Sequence, residues 1–163
     1  MIAVIPEKSF RSIPLMHKKP VFLTLLLWFI LSLQEVYPAA IEFDRSSLII
    51  NGVEYSIEIA KTSKQRSQGL MFRESLDIRQ GMLFVYPQSG NRRIWMKNTL
   101  IPLSVIWLDD NETVIEVKIL LPCELDPCPS YGVSKPAKYI IELSSEVMGV
   151  KSGDIIMGVK QFE

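Results

Sequence analysis

Apolar and polar residues alternate with a period of two along much of the chain after residue 40, which is the pattern of half-buried β-strands. The clearest case is Val53 to Ile59, where four apolar residues alternate with two glutamates and a serine. Asn51-Gly52 separates this run from Leu48 to Ile50 and is a strong signal for a tight hairpin turn. The pattern therefore predicts a half-buried antiparallel hairpin, with Glu58 among the polar residues of its outer side.

Further short runs, each bounded by Gly, Pro or Asn, predict the remaining strands. A hydroxyl at Thr62 or Ser63 is placed to cap a short helix that Gly69 ends, and a second helical turn is expected at Glu146 to Met148. Seven or eight short strands with one or two helical turns, and no alternation of strands with helices, indicate an all-β fold: a compact β-sandwich or jelly-roll-like barrel. The other predicted strands are Met82 to Tyr86, Arg92 to Met96, Leu103 to Leu108, Thr113 to Ile119, Lys138 to Leu143 and Ile155 to Val159.

The first 40 residues have the three-part order of a secretory signal peptide. A basic stretch at His17 to Lys19 precedes the apolar run Val21 to Leu33, and small residues ending at Ala40 follow. We predict cleavage after Ala40, with Met16 as an alternative start of translation. The competing interpretation is an uncleaved membrane anchor, although a spanning helix needs about 20 apolar residues and this run is shorter. Residues 41–163 are expected to form a single extracytoplasmic β domain.

Charge and histidine content exclude several classes of function. The 18 Lys and Arg residues balance 18 Asp and Glu residues, which argues against a nucleic-acid-binding protein. The only histidine, His17, lies in the predicted leader, so the domain that follows has no imidazole to act as a base or as a metal ligand. The sequence therefore assigns no catalytic residue, no metal and no cofactor.

Cys123 and Cys128 are the two cysteines of the chain, and they stand in a proline-rich C-x4-C loop. An even number of cysteines in an exported protein indicates a disulfide. A redox dithiol normally has two intervening residues at the start of a helix, and a zinc site needs further Cys or His ligands. The loop therefore favours a structural disulfide over a redox pair.

One predicted strand carries side chains that suit a ligand. If it is extended, Arg93, Trp95 and Lys97 project from one side, which we call the Trp95 face, and the indole lies between two cations. Asn98 and Thr99 follow at the end of the strand. Such a face is able to hold a sugar ring or an anion. The alternative is a core tryptophan whose charged neighbours extend to water.

Two functions stay open. The first is a non-enzymatic domain that binds a small sugar-like or anionic ligand, or a partner, at the Trp95 face. The second is an exported enzyme, either a carboxylate-based hydrolase with two suitably spaced acids or a thiol–disulfide protein. Two carboxylates that face each other in a concave pocket would favour the enzyme, and an aromatic and basic patch would favour binding. Neither function involves nucleic acid, and contact with a membrane would come only through an uncleaved leader.

Five motifs occur in an order that resembles a known family. They are GLMFRE at Gly69 to Glu74, GMLFVYP at Gly81 to Pro87, WMKNTLIPL at Trp95 to Leu103, the cysteine loop Cys123 to Tyr131, and PAKY at Pro136 to Tyr139. With these motifs the chain resembles the domain of unknown function 192 family, also called uncharacterised protein family 0127, over nearly all residues after 40. The resemblance implies a small, mostly exported bacterial or archaeal domain with a compact β fold similar to a jelly roll. It implies no activity, substrate or catalytic residue.

Overall fold

The computed structural model describes residues 40–145 and 149–163, which form eight strands and two short helices. The helix α1 is Ser63–Gln68, and a 3-10 helix is formed by Val159–Phe162. The strands are β1 Asp44–Ile50, β2 Val53–Ala60, β3 Gln80–Gly90, β4 Arg93–Trp95, β5 Leu103–Leu108, β6 Val114–Leu120, β7 Ser130–Gly132 and β8 Ala137–Ser144. The predicted leader up to residue 39 and the predicted helical turn at 146–148 lie outside the described residues.

Six strands form one mixed sheet in the order β1-β2-β3-β8-β5-β6. Neighbouring strands are antiparallel except for β2 and β3, which run parallel because the chain crosses over through α1 between them. β4 and β7 pair separately as a two-stranded antiparallel sheet. Within residues 40–145 and 149–163 the strands do not close into a barrel. The prediction of a compact all-β fold is confirmed, whereas the parallel crossover was not predicted.

Local signals account for the first elements. Asn51 and Gly52 both have positive φ, 49° and 77°, as the tight turn between β1 and β2 requires. At the start of α1 the Thr62 hydroxyl accepts a hydrogen bond from the backbone of Gln65, whose side chain in turn accepts one from the Thr62 backbone. Gly69 follows the helix with φ 48° and ends it. The predicted hairpin and helix are therefore confirmed.

The predicted last strand, Ile155 to Val159, is wrong. Ile155 forms only an isolated bridge with Thr113. Gly158 then adopts φ 97° and directs the chain into the 3-10 helix. Ile156 and Val159 are the buried residues of this segment, so their spacing of three matches a turn and not a strand.

The main sheet buries apolar side chains on both faces. Residues Ile57, Leu83, Ile106 and Ile141 belong to its first face, which Ile156 and Val159 cover. Residues Met82, Phe84, Val105 and Ile140 alternate with them on the second face, which Leu70, Ile94 and Met96 cover. The sheet is therefore a layer between two apolar cores, and a polar residue on either face of a central strand is buried.

Glu58 illustrates this burial and corrects the sequence analysis. It lies opposite Met82 on the second face and is only 8% exposed, although the alternation of β2 predicted the solvent side. The difference arises because the chain after α1 folds back over this face. The Glu58 carboxylate forms ion pairs with Arg45, at 2.9 Å, and with Arg73 of that covering segment. Glu58 therefore ties the covering segment to the hairpin.

Candidate functional site

A cavity of about 30 Å³ lies on the second face of the sheet, between α1, β4 and β8. We call it the inner cavity. Because one water-sized group needs roughly 10–15 Å³, the inner cavity has room for about two of them. Its lining is formed by Arg66, Ser67, Gln68, Gly69, Leu70, Met71, Phe84, Ile94, Trp95, Thr99 and Glu142.

An open cleft of about 370 Å³ adjoins the inner cavity. We call it the outer cleft. The two share four lining residues, Arg66, Ser67, Ile94 and Trp95, and the outer cleft adds Ser63, Tyr86 and Arg93. The outer part of the site is therefore aromatic and cationic, and its inner end holds a carboxyl group.

Glu142 provides that carboxyl group. It lies in β8 opposite Met82 of β3 and Val105 of β5, and it is 4% exposed. No hydrogen bond or ion pair within the described part of the chain involves its side chain. Burial raises the pKa of the Glu142 carboxyl to about 8. At neutral pH the group is therefore mostly a neutral acid that is able to donate a hydrogen bond.

The backbone of β3 at Gly81 lies very close to the backbone of β8 at Glu142 and Leu143. Gly81 pairs with Leu143 across these strands. A Cβ atom at residue 81 would lie 2.4 Å from the carbonyl oxygen of Glu142 and 2.5 Å from Cδ2 of Leu143. Only glycine therefore fits at this position with the strands as they stand.

Arg66 and Tyr86 form the cationic and aromatic wall of the outer cleft. The guanidinium groups of Arg66 and Arg92 lie 4.8 and 4.3 Å from the centroid of the Tyr86 ring. Arg66 also donates through Nη1 to the carbonyl oxygens of Lys61 and Val85. Burial raises the pKa of the Tyr86 hydroxyl, although both arginines oppose this change. Arg66 is therefore a fixed positive charge beside a neutral phenol.

The Trp95 face borders the outer cleft. Trp95 is 50% exposed, whereas Ile94 and Met96 beside it are buried, so the indole is not part of the core. Lys97 Nζ lies 5.7 Å from the centroid of the indole and 3.6 Å from the carboxylate of Asp126. Arg93 Nε donates to Ser130 Oγ at 2.8 Å. The two cations of this face are therefore partly engaged by the protein itself.

The five residues predicted as a binding site fall in three different environments. Trp95 lines both the inner cavity and the outer cleft, Arg93 lines the outer cleft, and Thr99 lines the inner cavity. Thr99 is buried, and its hydroxyl donates to the carbonyl oxygen of Lys97 at 3.4 Å, so it is not presented at the surface as expected. Lys97 and Asn98 line neither space.

Sequence reasoning missed Glu142, Arg66 and Tyr86. Glu142 left one signal, since it is the only charged residue in the run Tyr139 to Leu143, which otherwise has the composition of a strand buried on both faces. Arg66 and Tyr86 left none, because their position in the site depends on how α1 packs beside β3. These three residues are brought to the site by tertiary structure.

The cysteine loop follows β6 and faces the Trp95 face through the ion pair of Asp126 with Lys97. The Sγ atoms of Cys123 and Cys128 are 2.13 Å apart, which is disulfide-bonding distance.

Residues 40–145 and 149–163 contain no group of three or more His, Cys, Asp or Glu side chains arranged to hold a metal ion. In the same residues no helix is long and apolar enough to cross a membrane.

Together, the fold and the site define a small all-β domain in which an aromatic and basic cleft leads to a buried acid. The family model of DUF192, described as Uncharacterized ACR, matches residues 47–157. The chain belongs to this family, as its motifs indicated.

Two solved structures are similar to the chain, each with a TM-score of 0.61. One is a protein from Sinorhizobium meliloti 1021, described as a candidate transcription regulator, with 25% identity over 72% of this chain and 95% of that chain. The other is a protein of unknown function from Novosphingobium aromaticivorans DSM 12444, with 24% identity over 74% of this chain and 89% of that chain. Among curated proteins, none matches the chain.

Proposed function

We propose that this domain binds a small anionic or sugar-like ligand in the outer cleft and catalyses no reaction on it. The observation that carries the proposal is the half-exposed Trp95 indole beside the guanidinium groups of Arg66 and Arg93, in a cleft that ends at the Glu142 carboxyl. An exposed indole offers a flat apolar surface to a sugar ring, and the arginines attract negative charge. A volume of about 370 Å³ is also within the range of small-molecule sites.

The arrangement of the buried acids favours binding over hydrolysis. A carboxylate-based hydrolase places two acids on opposite sides of one substrate. Glu142 is the only acid that lines the inner cavity, and the outer cleft is lined by none. Glu58 lines a different cavity of about 50 Å³, together with Arg45 and Arg73, which neutralise it.

Ligand binding is testable by NMR, because Trp95 and Trp107 are the two tryptophans after the predicted leader. Trp95 is exposed, whereas Trp107 is fully buried and donates its indole N–H to the carbonyl oxygen of Arg92. We expect millimolar glucuronate to shift the indole resonance of Trp95 and to leave that of Trp107 in place. Trp95→Ala should weaken binding about tenfold, since the aromatic and cation terms together contribute roughly 1 to 2 kcal/mol.

Ile49→Ala is the matched control, because Ile49 is exposed on β1 and lines neither the inner cavity nor the outer cleft. This variant should bind glucuronate with unchanged affinity. Equal affinities of Trp95→Ala and the unaltered protein would contradict the proposed site. Absence of any indole shift with glucuronate, glucose and phosphate would contradict the proposed function.

We also propose that the domain acts outside the cytoplasm after cleavage of its leader. The three-part leader pattern supports this compartment, and so does the cysteine pair at bonding distance, since disulfides persist in oxidising compartments. N-terminal sequencing of protein from the extracytoplasmic fraction should give a start near Ile41, and intact-mass analysis should find no free thiol. Uncleaved chain with two free thiols in the cytosol would contradict both expectations.

A further inference from the structure

The Glu142 carboxyl lies at the inner cavity and forms no hydrogen bond within residues 40–145 and 149–163. Within these residues Arg92 Nε is the only fully enclosed side-chain atom without a partner, so the Glu142 oxygens keep some contact with the cavity. A carboxyl group that is largely removed from water loses most of its hydration, and a hydrogen-bond partner in the cavity compensates for that loss. Burial is the single cause of the change in its pKa. A partner from solution would remove this cost.

We propose that the ligand of this site is a small carboxylic acid whose carboxylate enters the inner cavity and shares a proton with Glu142. The inference rests on the proposed function, since it names the chemical class of the ligand bound in the same site. The proton comes from the neutral Glu142 carboxyl, which donates to one oxygen of the ligand carboxylate. No covalent bond forms or breaks, and the pair carries one negative charge in total.

The dimensions of the inner cavity select a carboxylate. A volume of about 30 Å³ holds about two water-sized groups, which suits the two oxygens of a planar carboxylate and is too small for the four oxygens of phosphate or sulfate. Thr99 and Ser67 add hydroxyl groups to the lining, and Arg66 adds a positive charge. The body of the ligand would then lie in the outer cleft against Trp95, which both spaces share.

The protonation state of Glu142 decides whether the site attracts or repels an anionic ligand. A neutral acid donates a strong hydrogen bond to a carboxylate, and two carboxyl groups that share one proton form a stable pair. An ionised Glu142 would instead repel the ligand. Binding should therefore weaken once the solution pH exceeds the pKa of the free Glu142 carboxyl.

Among the described residues that line the inner cavity and the outer cleft, Glu142 is the only one with a carboxyl group. The positive charges beside it are the guanidinium groups of Arg66, Arg92 and Arg93. Tyr86 of β3 stays neutral, because burial raises its pKa above the ordinary value of 10.0. The groups opposite Glu142 in the sheet, Met82 of β3 and Val105 of β5, do not titrate.

The test measures glucuronate affinity by calorimetry from pH 6 to pH 9, with its neutral amide, glucuronamide, as the matched control ligand. We expect a constant glucuronate affinity up to about pH 7.5, followed by a loss of about tenfold per pH unit. Glucuronamide should bind more weakly and show no such loss. Binding of inorganic phosphate as tight as that of glucuronate at pH 6.5 would overturn the proposed ligand class.

Glu142→Gln distinguishes the titration of the carboxyl group from its capacity to donate a hydrogen bond, because the glutamine amide is a donor that does not titrate. The variant should bind glucuronate severalfold more weakly at pH 6.5 and lose the dependence on pH. Retention of the alkaline decline in this variant would overturn the role of Glu142.

NMR of the Glu142 carboxyl carbon separates this inference from the proposed function. If glucuronate shifts the Trp95 indole but not the Glu142 carboxyl, the binding function stands and the inference fails. If glucuronate shifts neither while glucose shifts the indole, the ligand is a neutral sugar and the inference is again overturned. Shifts of both groups, with the pH profile above, support the shared proton.

Discussion

Glu142→Gln is expected to make the domain more stable than the unaltered protein at pH 8 and above. The pKa of the Glu142 carboxyl is about 8 in the folded protein, against an ordinary value of 4.5. Between these two pH values the folded state retains a proton that the unfolded chain has released. The free energy of unfolding therefore falls as the pH rises through this window. Each unit of pKa difference corresponds to about 1.4 kcal/mol, so the loss amounts to several kcal/mol by pH 8.

Glutamine at this position should remove that loss, because the amide has no proton to release in either state. Urea unfolding at pH 5, 7 and 9 measures the effect: the two proteins should be similar at pH 5 and should diverge as the pH rises. Glu54→Gln is the matched control, since Glu54 is an exposed residue of β2 and should leave the pH dependence of the unaltered protein intact. Parallel stability curves for Glu142→Gln and the unaltered protein would contradict the burial of this carboxyl.

Gly81→Ala is expected to destabilise the domain by about 1 to 3 kcal/mol, the range that core overpacking typically costs, and towards the upper end because the clash is with backbone. The added Cβ atom would meet the carbonyl oxygen of Glu142 at 2.4 Å. That oxygen belongs to the backbone of β8, a strand held on both sides by β3 and β5, so it cannot move away without disturbing the centre of the sheet. The measurement is the free energy of unfolding in urea.

Gly90→Ala provides the control within the same strand. A Cβ atom at residue 90 would meet only the guanidinium group of Arg92, at 3.3 Å, and this flexible end of a side chain is able to shift. A loss below about 1 kcal/mol is expected for an ordinary surface position. If both alanine variants lost the same small amount, the close approach of β3 and β8 at Gly81 would not be a constraint on the fold.

The sequence predicted those parts of the fold that depend on neighbouring residues. Asn51-Gly52 and the Thr62 cap act within a few residues of themselves, so the hairpin and α1 follow from local chemistry. The alternation around Trp95 placed Arg93, Trp95 and Lys97 on one side of the strand, but it left open whether the indole belongs to the core, and the structure shows that it is half exposed. These features needed no knowledge of which strands pair.

The rest depends on contacts between distant parts of the chain. The alternation in β2 predicts that Glu58 faces solvent. It is buried because the segment after α1 folds back over that face of the sheet. Glu142 becomes the end of a cavity because β8 lies between β3 and β5, which no periodicity in the sequence indicates. The apolar residues after Gly153 have the composition of a strand, but Gly158 gives them a turn. Composition alone does not distinguish these two outcomes.

The central place of β8 in the sheet has a kinetic consequence. In the order of synthesis β1, β2 and β3 come first and β5 and β6 follow, yet these two groups are joined in the sheet only through β8. Pairings between residues far apart in sequence form slowly, since a long loop must close before any contact compensates for its entropy. Until Ala137–Ser144 is available for pairing, β3 and β5 each keep an open edge, so the sheet assembles as a whole only late in folding.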